Sequence, residues 1–200
     1  MVKKLETFSW LIFILGAIFR VLGFPLSNFM IVISLSVLAC LYFVGTYFLY
    51  AKPKSETTSA QASNSETFGI IGTGLGLAAT IVGLLFSIQI WPQTGSTLAG
   101  AMVILALSIG FLYTKKNSIT RFEIPRLIRT SIIVGVLGLV FYFIPQNSLI
   151  DVYYRQHPAY KEALKAYLED SSNEEKRAKL DEEFERAFPE AAKRQEESSK

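Results

Sequence analysis

Five long apolar runs occupy the first 144 residues and constrain the fold more than any other feature of the sequence. A helix needs about 20 mainly apolar residues to cross a bilayer, with roughly 17 to 25 tolerated. Five segments meet this requirement: 8–24, 29–50, 68–91, 97–113 and 127–144. The basic start of the chain resembles a signal peptide, but a second apolar run follows at once without a cleavage signature. We therefore expect about five transmembrane helices, the first of them retained.

Charge divides the chain near residue 150. The 200 residues carry a net charge of +3, but residues 1–150 hold ten basic and four acidic residues, a net of +6, whereas residues 151–200 hold ten basic and thirteen acidic residues, a net of −3. An apolar region joined to a charged tail excludes a single soluble core. Neither half offers the basic surface of a soluble nucleic-acid-binding fold, so no nucleic-acid partner is expected.

The positions of the basic residues predict the orientation. Nine of the ten in residues 1–150 lie before the first run, after the second, or between the fourth run and the start of the fifth. Because short loops rich in Lys and Arg stay in the cytoplasm, the N-terminus is predicted to be cytoplasmic and the tail to lie outside. A re-entrant fifth run would instead return the tail to the cytoplasm. A lipid-facing basic loop, suited to anionic headgroups, is predicted from Lys115, Lys116, Arg121, Arg126 and Arg129.

The hairpin formed by the first two runs is repeated in the next two. Residues 16–25 read GAIFRVLGFP and residues 83–92 read GLLFSIQIWP, which align at an offset of 67. Proline cannot continue a helix, so each block is predicted to end a span and to place an aromatic ring at headgroup depth. Both copies enter the membrane from the same side, unlike the inverted repeats of many transporters. The matched pairs are Gly16 and Gly83, Phe19 and Phe86, Phe24 and Trp91, and Pro25 and Pro92.

These features predict an all-α integral membrane protein with two repeated helical hairpins, a fifth transmembrane helix and a charged amphipathic helical tail. Six parts follow along the chain. They are the first hairpin (1–50), a flexible linker (51–67), the second hairpin (68–114), a basic cytoplasmic loop (115–126), the fifth helix (127–145) and the tail (146–200).

Small residues line one face of the third run. Gly69, Gly72, Gly76 and Gly83 recur at helical spacing, with Ala79 between the last two. Such a stripe lets a neighbouring backbone approach closely, which favours helix association in lipid. The letters GTGLG also suggest a phosphate loop, but the Lys-Ser/Thr that such a loop needs does not follow. We therefore predict a helix-packing seam.

Arg20 is the only charge well inside a run, and a charge at the bilayer centre costs roughly 2.5–3.5 kcal/mol. It lies five residues before Pro25, within snorkelling reach of the headgroups. Two roles stay open for it: lipid or structural anchoring, and a gating, ion-path or partner role. Ser87 occupies the equivalent position in the second copy. The nearby Gln89 is predicted to hydrogen-bond between helices rather than to bind a ligand.

The sequence offers little for catalysis. The five runs contain no Asp, Glu or His, which argues against autonomous ion transport. The lone His157 precedes Pro158, a residue suited to the first position of a helix, so His157 is predicted to be a helix-entry residue. No catalytic, cofactor-binding or metal-ligating residue is predicted, and we expect a protein that is not an enzyme and needs no cofactor.

The tail contains two predicted amphipathic helices. Apolar residues recur at helical spacing in 160–168 and in 180–188. Ser172 with Glu175 predicts a capping box for the second helix, and Pro189 predicts its end. Two interpretations are open: a helical hairpin closed by its own apolar stripes, and a docking face for a partner.

The repeated block resembles the first transmembrane helix of the gliding-motility protein GldL family of Bacteroidota, whose hairpin carries a Gly-x-Leu-Phe-Lys-Ile-x-His-Trp-Pro-Gly-like signature. Arg20 stands at the position of the family's Lys in the first copy, and Gly23 and Ile90 replace its His. Members of that family form the inner-membrane part of a proton-driven motor for gliding and type 9 secretion, beside a partner with a large periplasmic domain. The resemblance implies a helical hairpin in a bacterial inner membrane. The matching residues are Gly83, Phe86, Ile88, Trp91 and Pro92 in the second copy and Gly16, Phe19 and Pro25 in the first.

Together these features favour a non-enzymatic inner-membrane scaffold or accessory subunit of a cell-envelope complex, with its tail in the periplasm. The expected partners are membrane lipids and other envelope or membrane subunits, with a second copy of the chain as a further candidate. One alternative is a proton-driven motor or transport component in which Arg20 and a partner's carboxylate share an ion path. The other is a small-solute carrier, which the parallel repeats disfavour.

Overall fold

The computed structural model describes residues 2–24, 26–46, 64–92, 94–114 and 124–189, and all regular secondary structure in these ranges is α-helical. The chain divides into two compact units, Met1–Ile144 and Pro145–Lys200. The first unit holds α1 (Val2–Val21), α2 (Ser27–Thr46), α3 (Asn64–Ile88), α4 (Thr94–Thr114) and α5 (Ile124–Phe143), and the second holds α6 (Gln146–Tyr153), α7 (Pro158–Glu169) and α8 (Glu174–Ala187).

Four helices of the first unit are long and apolar enough to cross a membrane, which indicates a helical membrane protein. They are the stretches Ser27–Thr46, Gly69–Ile88, Thr94–Thr114 and Arg126–Phe143. The remaining helix, α1, begins at Val2 rather than at the start of the predicted first span, residue 8. It therefore includes the charged residues of the N-terminus as well as Arg20.

The central helix of the first unit is α3. It packs against α2, α4 and α5, whereas α1 packs against α2. About 61% of its apolar stretch is buried, compared with 22% in α4 and in α5. The shared core consists of aliphatic side chains that are at most 2% exposed, among them Ile31, Leu35, Leu38, Ile70, Leu77, Ile81, Leu84, Leu98, Leu105 and Leu112.

In the second unit, α7 and α8 form a helical hairpin. Tyr160 on α7 contacts Phe184 and Phe188 on α8, with ring centroids 6.0 and 5.4 Å apart. Ala163 and Leu164 of α7 are buried. The apolar stripes of the two predicted tail helices thus pack on each other, as the closed-hairpin interpretation requires.

The start of α8 differs from the prediction, because the capping box of Ser172 and Glu175 is wrong. Asn173 is the N-cap residue, and its side-chain oxygen accepts hydrogen bonds from the backbone N–H groups of Glu175 at 3.0 Å and Lys176 at 3.2 Å. The Ser172 hydroxyl instead donates to the Asp170 carboxylate at 2.8 Å. Asn caps a helix as well as Ser does, so the pattern alone did not separate the two neighbours.

The other helix ends of the tail follow local sequence. His157 is the N-cap residue of α7 with Pro158 at its first position, which confirms the predicted helix entry. The end of α8 at Ala187, shortly before Pro189, is confirmed as well. A third tail helix, α6, was not predicted; it begins directly after Pro145 and has 8 residues, fewer than the window of about 11–18 residues over which helical periodicity is read.

Candidate functional site

The two hairpin turns close with the same backbone hydrogen bonds. At the end of α1 the N–H of Phe24 donates to the carbonyl of Phe19 at 2.9 Å, and the N–H of Gly23 to that of Arg20 at 3.2 Å. At the end of α3 the N–H of Trp91 donates to the carbonyl of Phe86 at 3.1 Å, and the N–H of Ile90 donates to the carbonyl of Ser87 at 3.2 Å. This pair of bonds is the Schellman motif, which satisfies carbonyls left open at a helix end. The repeat seen in the sequence is therefore a repeated helix cap.

Aromatic rings cover each cap. Phe19 and Phe24 have ring centroids 5.2 Å apart, and Phe86 stacks on Trp91 at 4.8 Å with an interplanar angle of 7°. The outer ring of each pair stays about half exposed, at 53% for Phe24 and 55% for Trp91. Pro92 is exposed in its turn, whereas Pro25 lies outside the described residues. Each turn thus presents on the surface one half-exposed ring that packs on a ring of the preceding helix.

A hydrogen bond joins the two turns. The Gln89 side-chain amide donates from Nε2 to Oδ1 of Asn28, at the start of α2, at 2.6 Å. Gln89 was predicted to form a hydrogen bond between helices, and the structure shows such a bond, from the end of α3 to the start of α2. Of the equivalent residues at the two caps, Arg20 is partly buried and Ser87 is buried.

The glycines of α3 lie against α4. A Cβ built on Gly76 would meet Cα of Leu105 at 2.8 Å, and one on Gly83 would meet Cα of Leu98 at 3.2 Å. Nearer the other end of α3, Gly72 faces Ser108, and Gly69 faces Phe111 and Leu112. The predicted seam is thus where the two helices of the second hairpin come closest.

The first hairpin reproduces one contact of this seam. A Cβ on Gly16 would meet Ile31 Cγ1 at 3.1 Å, and Gly16 and Ile31 lie 67 residues before Gly83 and Leu98. A further close approach, which the stripe did not indicate, is that of Gly74 to Thr46, where a Cβ would overlap the threonine side chain. Glycine therefore sets the spacing of α3 to α2 as well as to α4.

Several serine and threonine hydroxyls buried in the first unit bond to their own helices. Their donors reach carbonyls three or four residues earlier, which is the usual way for Ser and Thr to be satisfied in an apolar helix. Among the described residues, no buried side-chain N or O atom lacks a hydrogen-bond partner. The bonds join Ser34 to Ile31 (3.0 Å), Thr73 to Gly69 (2.9 Å), Thr80 to Gly76 (2.8 Å) and Ser131 to Leu127 (2.8 Å).

One charged cluster lies at a rim of the first unit. The guanidinium of Arg126, near the start of α5, forms an ion pair with Oε2 of Glu6 in α1. The hydroxyl of Tyr42, near the end of α2, donates to Oε1 of the same carboxylate at 2.7 Å. The Glu6 side chain is 15% exposed and that of Arg126 is 31% exposed. Both oxygens of one carboxylate are thus used, each by a different helix.

The sequence pattern did not single out Glu6, because it precedes the first apolar run and its partner lies 120 residues away. The one feature of the sequence that could have indicated Glu6 is the presence of an acidic residue close to the basic Lys3 and Lys4. Arg126, expected to face lipid, directs its guanidinium to Glu6, and Arg129 is exposed. The other members of the predicted basic loop, Lys115, Lys116 and Arg121, lie outside the described residues.

In the tail unit, ion pairs shift the pKa of exposed groups. Hydrogen bonds from Lys165 and Lys161 hold the pKa of the Asp151 carboxyl below its ordinary value of 3.8. The same contact with Asp151 raises the pKa of Lys165 above 10.5. The Nζ atoms of Lys165 and Lys161 lie 2.8 and 3.1 Å from Asp151 Oδ1. These contacts fasten α6 to α7.

Within the described ranges, no three His, Cys, Asp or Glu residues cluster so as to hold a metal ion. No protein-family model, curated protein or solved structure matches the chain.

Proposed function

We propose that the chain is a non-enzymatic inner-membrane scaffold or accessory subunit of a cell-envelope complex, built on a duplicated hairpin that resembles that of the GldL family. In this proposal α1 to α5 all cross the membrane, the N-terminus lies in the cytoplasm and the tail lies in the periplasm. The partners are membrane lipids and other envelope subunits.

The observation that carries the proposal is the rigid repetition of the hairpin turn. Each turn is closed by two backbone hydrogen bonds and a pair of packed rings, and Gln89 ties the second turn to Asn28 beside the first. Surfaces fixed before binding lose less conformational entropy when a partner docks. The two turns have the same cap and are joined by the Gln89 hydrogen bond. They therefore supply two such surfaces at one end of the first unit.

The interior of the first unit supports the same role. The glycine contacts hold α3 close to α4, and the hydroxyls of Thr73 and Thr80 bond to carbonyls of α3 itself. The carboxylate of Glu6 is used between helices as well. The glycine contacts and the Glu6 carboxylate thus hold helices of the first unit together.

A photo-crosslinking amino acid placed at each turn tests the scaffold proposal in cells. We choose Phe24 and Trp91, whose rings are exposed, and Leu107 of α4 as the control, because it is 70% exposed on a helix face. We expect both turn positions to give adducts with the same protein subunit and the control to give lipid adducts. Adducts with lipid alone at all three positions, together with purification of the chain without any companion, would overturn the proposal.

The five-span topology is tested separately. A phosphatase reporter fused after Lys200 is active only outside the cytoplasm, so we expect activity. An inactive phosphatase, together with an active cytoplasmic reporter at the same position, would refute five spans and leave the subunit proposal to the crosslinking result.

A second candidate, a proton-driven motor component, is favoured by one observation. Glu6 is a carboxylate held inside the helical unit, where its side chain is 15% exposed. At the rim such a carboxylate can exchange protons with water at the entrance of a proton pathway, whose elements within the membrane are ionisable groups. For a motor, Glu6→Gln and Arg20→Ala abolish the function that depends on the proton-motive force while assembly stays intact. Normal function of both variants would exclude this candidate.

A further inference from the structure

Three residues link three helices at one rim of the first unit. Glu6 lies near the start of α1, Tyr42 near the end of α2 and Arg126 near the start of α5. The ion pair and the Tyr42 hydrogen bond occupy the two carboxylate oxygens of Glu6 separately. Removal of Glu6 would therefore leave a partly buried Arg126 and a buried Tyr42 hydroxyl without this partner.

The ion pair joins helices that are otherwise held by different neighbours. α1 packs against α2, while α5 packs against α3 and α4. Gly16 of α1 approaches Ile31 of α2, and Gly138 of α5 lies against Met102 of α4 and Thr80 of α3. The link from α1 to α5 is thus a polar contact between side chains, in a unit whose other contacts are mostly apolar.

The first helix is also the most highly charged helix of the first unit. It is not among the four stretches that are long and apolar enough to span, since it holds Lys3, Lys4, Glu6 and Arg20. Apolar packing holds α2, α3 and α4 through core residues such as Leu38, which is fully buried. None of the three linked residues lies on α3 or α4, so the contacts of those helices survive if the link opens.

We propose that Glu6, Tyr42 and Arg126 form a polar latch that holds α1 against α5, and that α1 is the helix of this unit that moves when the latch opens. The latch acts at the rim where α1 and α5 begin. Its opening separates α1 from α5, while α2 keeps its packing on α3.

Distances between spin labels in the full-length protein in lipid nanodiscs test the latch. The exposed Cys40 is first replaced by Ser, so that labels attach only at introduced cysteines. One label pair, Leu11→Cys with Ile132→Cys, reports on α1 and α5, and a reference pair, Ile33→Cys with Ile132→Cys, reports on α2 and α5. All three positions are exposed.

We expect Glu6→Gln and Arg126→Gln each to lengthen and broaden the α1–α5 distance and to reduce the latched population about tenfold or more, because hydrogen bonds to charged groups are among the stronger ones. The reference distance stays unchanged. The matched control is Arg129→Gln, which removes an exposed charge one turn further along α5 and leaves both distances as in the parent. The double variant Glu6→Arg with Arg126→Glu restores the parent α1–α5 distance.

Two results would overturn the latch. If the single variants leave the α1–α5 distance unchanged, the three residues do not hold α1. If both distances change together, the ion pair stabilises the whole unit and α1 does not move by itself.

Discussion

Gly23 and Ile90, 67 residues apart, occupy the same left-handed backbone position at the ends of α1 and α3, with φ of +78° and +59°. Glycine adopts this conformation without steric cost, whereas other L-residues lose roughly 1–2 kcal/mol there. Ile90 is β-branched, so the second copy holds its turn against local strain. The packed rings and hydrogen bonds that flank Ile90 maintain the geometry that glycine favours in the first copy.

We expect Gly23→Ala to destabilise the protein by about 1 kcal/mol, because the methyl group meets no neighbour and only the backbone conformation opposes it. The matched control is Gly100→Ala within α4, where the methyl group again meets nothing. There alanine favours the helix, and we expect a gain of roughly 0.5–1 kcal/mol. Thermal unfolding in detergent measures both. Equal effects of the two substitutions would contradict a left-handed Gly23.

Substitution of the seam glycine Gly76 tests the approach of α3 to α4. In Gly76→Ala the new methyl group would lie 2.8 Å from the backbone of Leu105, so the helices must separate. We expect a loss of about 1–3 kcal/mol, typical of overpacking. Gly110→Ala of α4 is the control, because its methyl group points into open space. If the two variants unfold at the same temperature, the close contact at Gly76 is not formed.

The sequence predicted the long helices because apolar runs of the required length and the prolines at their ends act locally. The cap at Gly23 and Phe24 was visible in the sequence as a repeated motif. That the motif is a Schellman cap covered by two packed rings could be recognised only from the backbone hydrogen bonds and the ring contact. Glu6 was missed because its role depends on Arg126, whose position is set by the packing of α5. Local patterns carry no information on such distant pairs.

A double-mutant cycle measures the bond between the two turns. We expect the coupling energy of Asn28→Ala and Gln89→Ala to be about 0.5–1 kcal/mol, because interhelical hydrogen bonds in membrane proteins contribute modestly. Each single variant lowers the stability, and the double variant loses less than the sum. A cycle through Asn28→Ala and Lys4→Ala, an exposed residue at the opposite end of α1 from the turn, serves as the control and should give no coupling. Strict additivity for Asn28 and Gln89 would show that the bond is not formed.

The N-cap of α8 can be assigned by substitution. Asn173→Ala removes the acceptor for two backbone N–H groups and should destabilise α8 by about 1 kcal/mol. Ser172→Ala removes only the hydroxyl that donates to Asp170 and should have a smaller effect. Amide hydrogen exchange in α8 of the full-length protein distinguishes them. Faster exchange in Ser172→Ala than in Asn173→Ala would contradict Asn173 as the N-cap and support the capping box of Ser172 and Glu175.

The contact between α6 and α7 should depend on pH through Asp151. The pKa of its carboxyl is lower in the folded protein than the ordinary 3.8, because Lys165 and Lys161 donate hydrogen bonds to it. Its contribution to stability is therefore fully present above the unfolded value and is lost as the pH falls through the folded value. The pKa of Lys165 is raised above 10.5, so its contribution is present below that pH and is lost as the pH rises further.

We therefore expect α6 to be best protected between about pH 4 and pH 10, with a modest effect because exposed ion pairs contribute little. Amide hydrogen exchange of α6, corrected for the intrinsic pH dependence of exchange, measures this protection at pH 3 and pH 6. Asp151→Asn removes the charge but keeps the shape of the side chain. In this variant α6 should exchange faster than in the parent at pH 6, and most of the difference in protection between pH 3 and pH 6 should disappear. The matched control is Asp181→Asn, which removes an exposed carboxylate of α8 and should keep the difference in α6 protection between the two pH values. If the parent protein protects α6 equally at both pH values, the ion pair of Asp151 with the two lysines does not fasten α6 to α7.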